Sequence, residues 1–265
     1  MLLLDPLARP IIAHRGDRAH APENTMPAFE AAERAGAEAF ELDVRVSADG
    51  HVVVFHDETV DRTTDGADPI ESMPLAEIRE LDAGARWSPD DDPERANGVG
   101  WRKATPFARR GIRVPLLKDV LEAFPTMPMI VDAKTVAAGA ALVPMLDQFG
   151  ARERIVVGSF LSAALAPARA AGYHTAASQR ELAWLFVPAV LRMRPRRRAY
   201  HMIAMPPTYM GMSLPLDAYV RSSGVSVHLW TVNSPTVARR HWRRGGAGVI
   251  TDDPAALKIV RDRAP

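Results

Sequence analysis

Eight short runs rich in β-forming residues recur along this chain with helical stretches between them, and few folds accept that alternation. The runs are Ile11 to His14, Phe40 to Val46, Met129 to Lys134, Ile155 to Ser159, Tyr173 to Ala177, His201 to Met205, Val227 to Val232 and Gly248 to Thr251. Amphipathic periodicity places helices at Thr25 to Ala35, Leu116 to Phe124, Ala137 to Phe149, Ser162 to Ala171, Leu216 to Ser222 and Pro235 to Arg244. Strand-helix alternation of this kind builds a parallel sheet with crossover helices, and eight units close into a (β/α)8, or TIM, barrel. A doubly wound open sheet is the runner-up, but no Gly-x-Gly-x-x-Gly follows any of the strands. At 265 residues the whole chain, 1–265, is read as one barrel domain.

One departure is expected after the second strand. Asp49-Gly50 separates two alternating segments, so the chain should return as a β-hairpin through His51 to His56. With Asp49 and Gly50 as a two-residue turn, Asp43 faces His56 and Glu41 faces Glu58. Leu42, Val44, Val46, Val53 and Phe55 then share an apolar face, while Glu41, Asp43, Arg45, Ser47 and His56 share a polar one. From about 58 to 113 the pattern lapses into Pro-, Gly-, Asp- and Arg-rich sequence with one weak helix, Pro74 to Leu81, which reads as a small insertion on the catalytic face.

Composition narrows the chemistry. Lys plus Arg number 33 against 32 Asp plus Glu, a net charge of +1, so no nucleic-acid partner is indicated. The absence of cysteine removes disulfides, thiolate nucleophiles and zinc-thiolate centres, leaving oxygen and imidazole as metal ligands. Met-Leu-Leu-Leu-Asp-Pro lacks a basic n-region, so a cytoplasmic location is expected. The most apolar later stretch, Leu182 to Leu191, is too short to span a bilayer.

The residues that carry chemistry fall at strand ends, where barrel enzymes build their sites: His14-Arg15-Gly16, Glu41-Leu42-Asp43, His56-Asp57 and Asp132-Ala133-Lys134. Two histidines, basic groups and hard oxygen ligands are what metal-assisted phosphodiester hydrolysis needs. Carboxylates at i and i+2 of one strand project to the same side, so Glu41 and Asp43 suit a divalent cation, Mg²⁺ or Ca²⁺, with Mn²⁺ a third choice.

These motifs, with Ala21-Pro22-Glu23-Asn24-Thr25, Asp61-Arg62-Thr63-Thr64, Ser159-Phe160, Trp230-Thr231-Val232-Asn233 and Ile250-Thr251-Asp252-Asp253-Pro254, resemble the glycerophosphodiester phosphodiesterase family from Ile11 to Pro254. The resemblance implies a TIM barrel that splits a small-molecule glycerophosphodiester into sn-glycerol 3-phosphate and an alcohol. It also implies His14 and His56 as the acid/base pair, Glu41, Asp43 and Asp132 as metal ligands, and Arg15, Lys134 and Trp230 as phosphate or substrate contacts. Glu23 is expected to hold in place either Arg15 or another group behind the site, and Asn24 with Thr25 to start the following helix. Many relatives carry Glu where this chain has Asp132, and consecutive acids where it has Lys118-Asp119. The implied mechanism is attack by the neighbouring glycerol hydroxyl through a cyclic phosphate, with direct attack by water as the competing route.

Residues 182–198 couple an apolar stretch, Trp184 to Leu191, to Arg192-Met193-Arg194-Pro195-Arg196-Arg197-Arg198. Such a segment is suited to peripheral membrane contact, and it keeps a lysophospholipase D activity open beside hydrolysis of deacylated substrates. An amphipathic outer helix followed by a solvated arginine run is the simpler reading. A non-catalytic phosphodiester-binding barrel is the remaining alternative, although no ligand or histidine of the pattern is missing.

Overall fold

A computed structural model describes residues 1–88, 105–190, 198–208 and 224–263. Its strands are β1 (Ile11–His14), β2 (Ala39–Val46), β3 (Val52–Val54), β4 (Met129–Ala133), β5 (Ile155–Gly158), β6 (His174–Thr175), β7 (Met202–Met205), β8 (Ser226–Leu229) and β9 (Val249–Thr251). Eight of them pair in parallel in the order β6-β5-β4-β2-β1-β9-β8-β7, and a parallel bridge between Ala176 and Met202 brings the two ends together. The result is a (β/α)8 barrel. Its described helices are α1 (Met26–Arg34), α2 (Leu75–Ile78), α3 (Leu117–Ala123), α4 (Val136–Gln148), α5 (Ser162–Ala170), α6 (Gln179–Val190), α7 (Pro235–Arg243) and α8 (Pro254–Asp262). The helix expected over 216–222 and the basic run 192–197 lie outside the described residues. Among those described, no helix is long and apolar enough to cross a membrane.

The period-two alternation of each strand divides the core. Outward residues such as Leu42, Val44, Val131 and Val157 pack with Phe29, Leu117, Leu142 and Leu165. Inward residues Ile12, Ile130, Val156, Met202 and Ile250 gather with Leu3 as an apolar floor. The carbonyl of Leu3 accepts hydrogen bonds from Ser226 Oγ at 2.7 Å and His228 Nε2 at 2.8 Å, so the N-terminal turn seals that floor. Two residues further along three of the strands the inward position becomes polar: Ile12 gives way to His14, Ile130 to Asp132 and Ile250 to Asp252. The same alternation that fills the barrel therefore delivers these polar groups to its carboxyl end.

The hairpin corrects one expectation. Val44 pairs with Val54, Arg45 with Val53 and Val46 with Val52, a register one residue away from the expected one. The loop has three residues, Ala48, Asp49 and Gly50, because Gly50 takes a left-handed φ of 88° and Ser47 pairs with His51. A one-residue slip exchanges the faces of the return strand. Val52 and Val54, not Val53 and Phe55, join Val44 in the main core. Val53 and Phe55 instead pack with Val60, Ile70, Ile78 and Leu116, in and beside the 58–113 segment. The Asp43 carbonyl accordingly accepts from the Phe55 amide at 2.9 Å, and His56 follows one residue later. The weak helix is also shorter than expected, Leu75–Ile78.

Candidate active site

A pocket at the carboxyl end of the barrel is lined by the polar residues His14, Arg15, Glu41, Asp43, His56, Asp132 and Lys134 and by the apolar Phe160, Ala176, Ala177, Ala204 and Trp230. The expected catalytic, metal and phosphate groups are thus brought together. Glu23 and Asn24 stand behind them.

Strand β1 ends at His14, and the chain then turns sharply, with φ of 58° at Arg15 and 83° at Gly16. A side chain at Gly16 would put its Cβ 2.6 Å from Ala28 Cβ, so the glycine permits helix α1 to pack against the turn. The turn carries Arg15 back over β2, where its Nε lies 3.1 Å from Asp43 Oδ2 and its Nη1 donates to Glu23 Oε1 at 2.8 Å. Asn24, also left-handed at φ 56°, donates its amide to Asp43 Oδ2 at 2.9 Å. Its side chain is therefore committed to Asp43. Thr25 occupies the N-cap position of α1 without a side-chain capping bond, its hydroxyl donating instead to the Pro22 carbonyl at 2.6 Å.

Each histidine has a carboxylate behind it. His14 Nδ1 lies 2.6 Å from Asp252 Oδ1, and His56 Nδ1 lies 2.6 Å from Asp57 Oδ1. An ionised carboxylate only accepts, so Nδ1–H is the donor in both pairs and Nε2 is left as the basic nitrogen. Asp252 is itself held by Asn233 Nδ2 at 2.8 Å. Burial pushes the His14 pKa below the ordinary histidine value, against the opposing pull of Asp252. Asp252 stays low: burial would raise it, but His14 and Arg18 outweigh that. Sequence reasoning misses the Asp252 pairing, because the two residues are far apart in the chain. The available signal is the place of Asp252 just past β9, the strand beside β1. Asp57 adjoins His56, yet only the fold shows that the two side chains meet.

The carboxylates on β2 and β4 divide sharply. Asp43 is held below the usual carboxylate range: burial opposes this, but Arg15 and Lys134 prevail. Lys134 Nζ bridges Asp43 Oδ1 and Asp132 Oδ2, each at 2.7 Å. Glu41 is pushed well up by burial and by the Asp43 charge, and its Oε2 is buried without a hydrogen-bond partner. A buried acceptor of this kind is expensive unless a cation or donor meets it. The all-oxygen set of Glu41, Asp43 and Asp132 is of the chemistry that a hard divalent cation takes, and the orphan oxygen of Glu41 could serve it as a donor. As they stand, no three acidic or histidine side chains among the described residues are gathered into a ligand cluster, and Lys134 lies between Asp43 and Asp132. Asp119 accepts from the Leu116 amide at 3.2 Å as the cap of α3.

Among the apolar lining residues, the Trp230 and Phe160 ring centroids are 5.8 Å apart, and Lys134 Nζ lies 5.9 Å from the Phe160 centroid. Phe160 is 51% exposed, which makes it the outer wall of the pocket.

Residues 14–256 match the glycerophosphoryl diester phosphodiesterase family. A glycerophosphodiester phosphodiesterase of Caldanaerobacter subterraneus subsp. tengcongensis is 32% identical over 260 residues, covering 95% of this chain and 97% of its own. The chain belongs to the glycerophosphoryl diester phosphodiesterase family. As a member of that family it is a phosphoric diester hydrolase. Solved structures agree with the barrel. An Oleispira antarctica phosphodiesterase in complex with the product sn-glycerol-3-phosphate superposes with a TM-score of 0.76 at 25% identity, covering 96% of this chain and 97% of its own. A glycerophosphoryl diester phosphodiesterase domain from Mycobacterium tuberculosis superposes with a TM-score of 0.81 at 23% identity, covering 96% and 99%.

Proposed function

We propose that the protein hydrolyses glycerophosphodiesters to sn-glycerol 3-phosphate and an alcohol, with His14 as base, His56 as acid and a divalent cation as cofactor. The observation that carries this reading is the pair of histidines, each backed by a carboxylate, on one pocket that also holds Arg15 and Lys134. His14 is assigned the base because burial favours its neutral form.

In the first step His14 Nε2 takes the proton of the glycerol hydroxyl beside the phosphate. That oxygen bonds to phosphorus, the bond to the alcohol breaks, and His56 gives its proton to the departing oxygen. A cyclic phosphate results. Water then opens it, with His56 taking the proton and His14 returning its own to the glycerol oxygen. Arg15 and Lys134 carry the positive charge that meets the phosphoryl oxygens, the first through a planar fork and the second as a point charge. Glu41, Asp43 and Asp132 would hold Mg²⁺, Ca²⁺ or Mn²⁺, which supplies further positive charge to the phosphoryl group when bound. Trp230 and Phe160 wall the carbon skeleton of the substrate. We take residues 1–265 as one catalytic domain, with 58–113 as its insertion, acting in the cytoplasm.

A second reading, lysophospholipase D activity, is favoured by one observation. Phe160, Leu161 and Trp184 are 51%, 46% and 72% exposed in the β5-α5 connection and α6. Acyl-bearing substrates and a membrane surface would both meet such side chains.

Both readings are tested by product analysis with metal-stripped protein to which Mg²⁺, Ca²⁺ or Mn²⁺ is returned separately. Metal-dependent sn-glycerol 3-phosphate from glycerophosphocholine supports the first reading, and metal-dependent lysophosphatidic acid from lysophosphatidylcholine supports the second. No product from either, with any ion, contradicts both.

A further inference from the structure

The buried carboxylate of Glu23, 9% exposed at its side chain, receives three guanidinium groups. Arg15 Nη1 reaches Oε1 at 2.8 Å, and Arg18 Nε lies 3.7 Å from Oε2. Arg62 approaches with two parallel bonds, Nη2 to Oε1 at 2.6 Å and Nη1 to Oε2 at 3.0 Å. The Nε of the same Arg62 donates to Asp57 Oδ2, while the other oxygen of Asp57 meets His56. An unbroken series of charged contacts therefore runs Arg15, Glu23, Arg62, Asp57, His56. A side branch leaves Glu23 through Arg18, whose Nη1 lies 3.6 Å from Asp252 Oδ1, the partner of His14.

We propose that Arg62 and Glu23 are positioning residues that set His56 in register with Arg15, so that proton delivery and phosphate binding are referred to one buried carboxylate. This rests on the phosphodiesterase reading above for its consequence on rate. Surface ion pairs ordinarily contribute little, because they are solvated, single and mobile. Here the acceptor is buried, the contact is bidentate, and the guanidinium is bonded on two edges at once, which fixes its plane. A lysine presents a single point charge and does not reproduce that two-edged spacer. Arg62 comes from the segment after His56, of which no described residue between 58 and 113 lines the pocket. The segment thus acts on the chemistry from outside the pocket, by holding the Asp57 carboxylate that orients the His56 ring. A misplacement of about 1 Å in a reacting group costs on the order of 100-fold in rate, so the brace is expected to show in turnover.

The test compares Arg62→Ala, Arg62→Lys, Asp57→Ala and the double variant with the wild type on glycerophosphocholine, alongside the His56 Nδ1–H proton resonance. Arg62→Ala is expected to lower kcat about 10- to 100-fold with KM changed less than about threefold, and Arg62→Lys to recover little of the loss. Because Arg62 acts through Asp57, the double variant is expected to be no slower than Asp57→Ala alone. Arg62 is 47% exposed at its side chain, so added guanidinium ion is expected to restore part of the Arg62→Ala turnover. The downfield His56 Nδ1–H resonance of the wild type is expected to be lost in Arg62→Ala. Wild-type kcat in Arg62→Ala, fully additive losses in the double variant, or an unchanged His56 resonance each overturn the proposal. If Arg62→Ala does not fold, Arg62→Lys decides by the same kcat and resonance criteria. A wild type inactive on glycerophosphocholine contradicts the phosphodiesterase reading, and the resonance still decides the bracing.

Discussion

Asp252 Oδ1 stands 2.6 Å from His14 Nδ1, closing a pair between residues 238 positions apart in the chain. The pair exists because β9 and β1 are neighbours in the barrel, and because Asp252 just past β9 and His14 at the end of β1 both reach its carboxyl end. In the proposed mechanism it orients the ring and would support the charge that His14 takes up on accepting a proton.

Replacing Asp252 by Asn is therefore expected to lower kcat about 100-fold with little change in KM. The negative charge of Asp252 raises the His14 pKa, so its removal moves the acid limb of the kcat/KM profile to lower pH. A pH–rate profile of Asp252→Asn checks both parts.

Glu41→Gln should separate function from stability. Glu41 is held above its ordinary pKa by burial and by Asp43, so its ionised form costs stability in the metal-free protein at and above neutral pH. Neutralising the side chain is expected to raise the melting temperature of metal-stripped protein at about pH 8 while lowering metal-supported turnover at least about 10-fold. Thermal melts and rate assays on the same preparation measure the two effects.

A different pH response comes from the barrel wall. His228 and His241 are buried, and burial lowers both pKa values to about 4. A histidine kept neutral in the fold but free to protonate at about 6.5 when unfolded contributes stability that is complete above about 6.5 and is lost as pH falls towards about 4. From about pH 7 to about pH 5 each accounts for at most about 2 kcal/mol. Denaturant unfolding at the two pH values should show the drop, and His241→Gln should reduce it.

Gly16→Ala is expected to destabilise the fold by about 1–3 kcal/mol or more, since it adds a left-handed alanine to a close contact with Ala28. Calorimetry measures the loss. In protein that remains folded, the displaced Arg15 should raise KM.

Much of the site is legible in the sequence because barrel chemistry is local in register. His14, Glu41, Asp43, Asp132 and Lys134 announce themselves as polar residues closing apolar strands, and their shared place at strand ends predicts that they meet at one mouth of the barrel. The hairpin register differs by one residue from the expected one because Asp-Gly suits both a two-residue turn and a three-residue loop. Only the packing of Val52 and Val54 with Val44 decides between them. The braces are not legible. Asp252 with His14, and Arg62 with Glu23, are contacts 238 and 39 residues apart. Asn24 precedes a helix and reads as part of its start, whereas its amide is bonded to Asp43.

The proton transfers assigned to His14 and His56 are tested most directly by turnover of glycerophosphocholine by His14→Ala and His56→Ala under metal-supplemented conditions, with folding verified by circular dichroism. Each folded variant is expected to lose about 100- to 10,000-fold in kcat. Turnover near the wild-type rate in either folded variant would contradict the assignment.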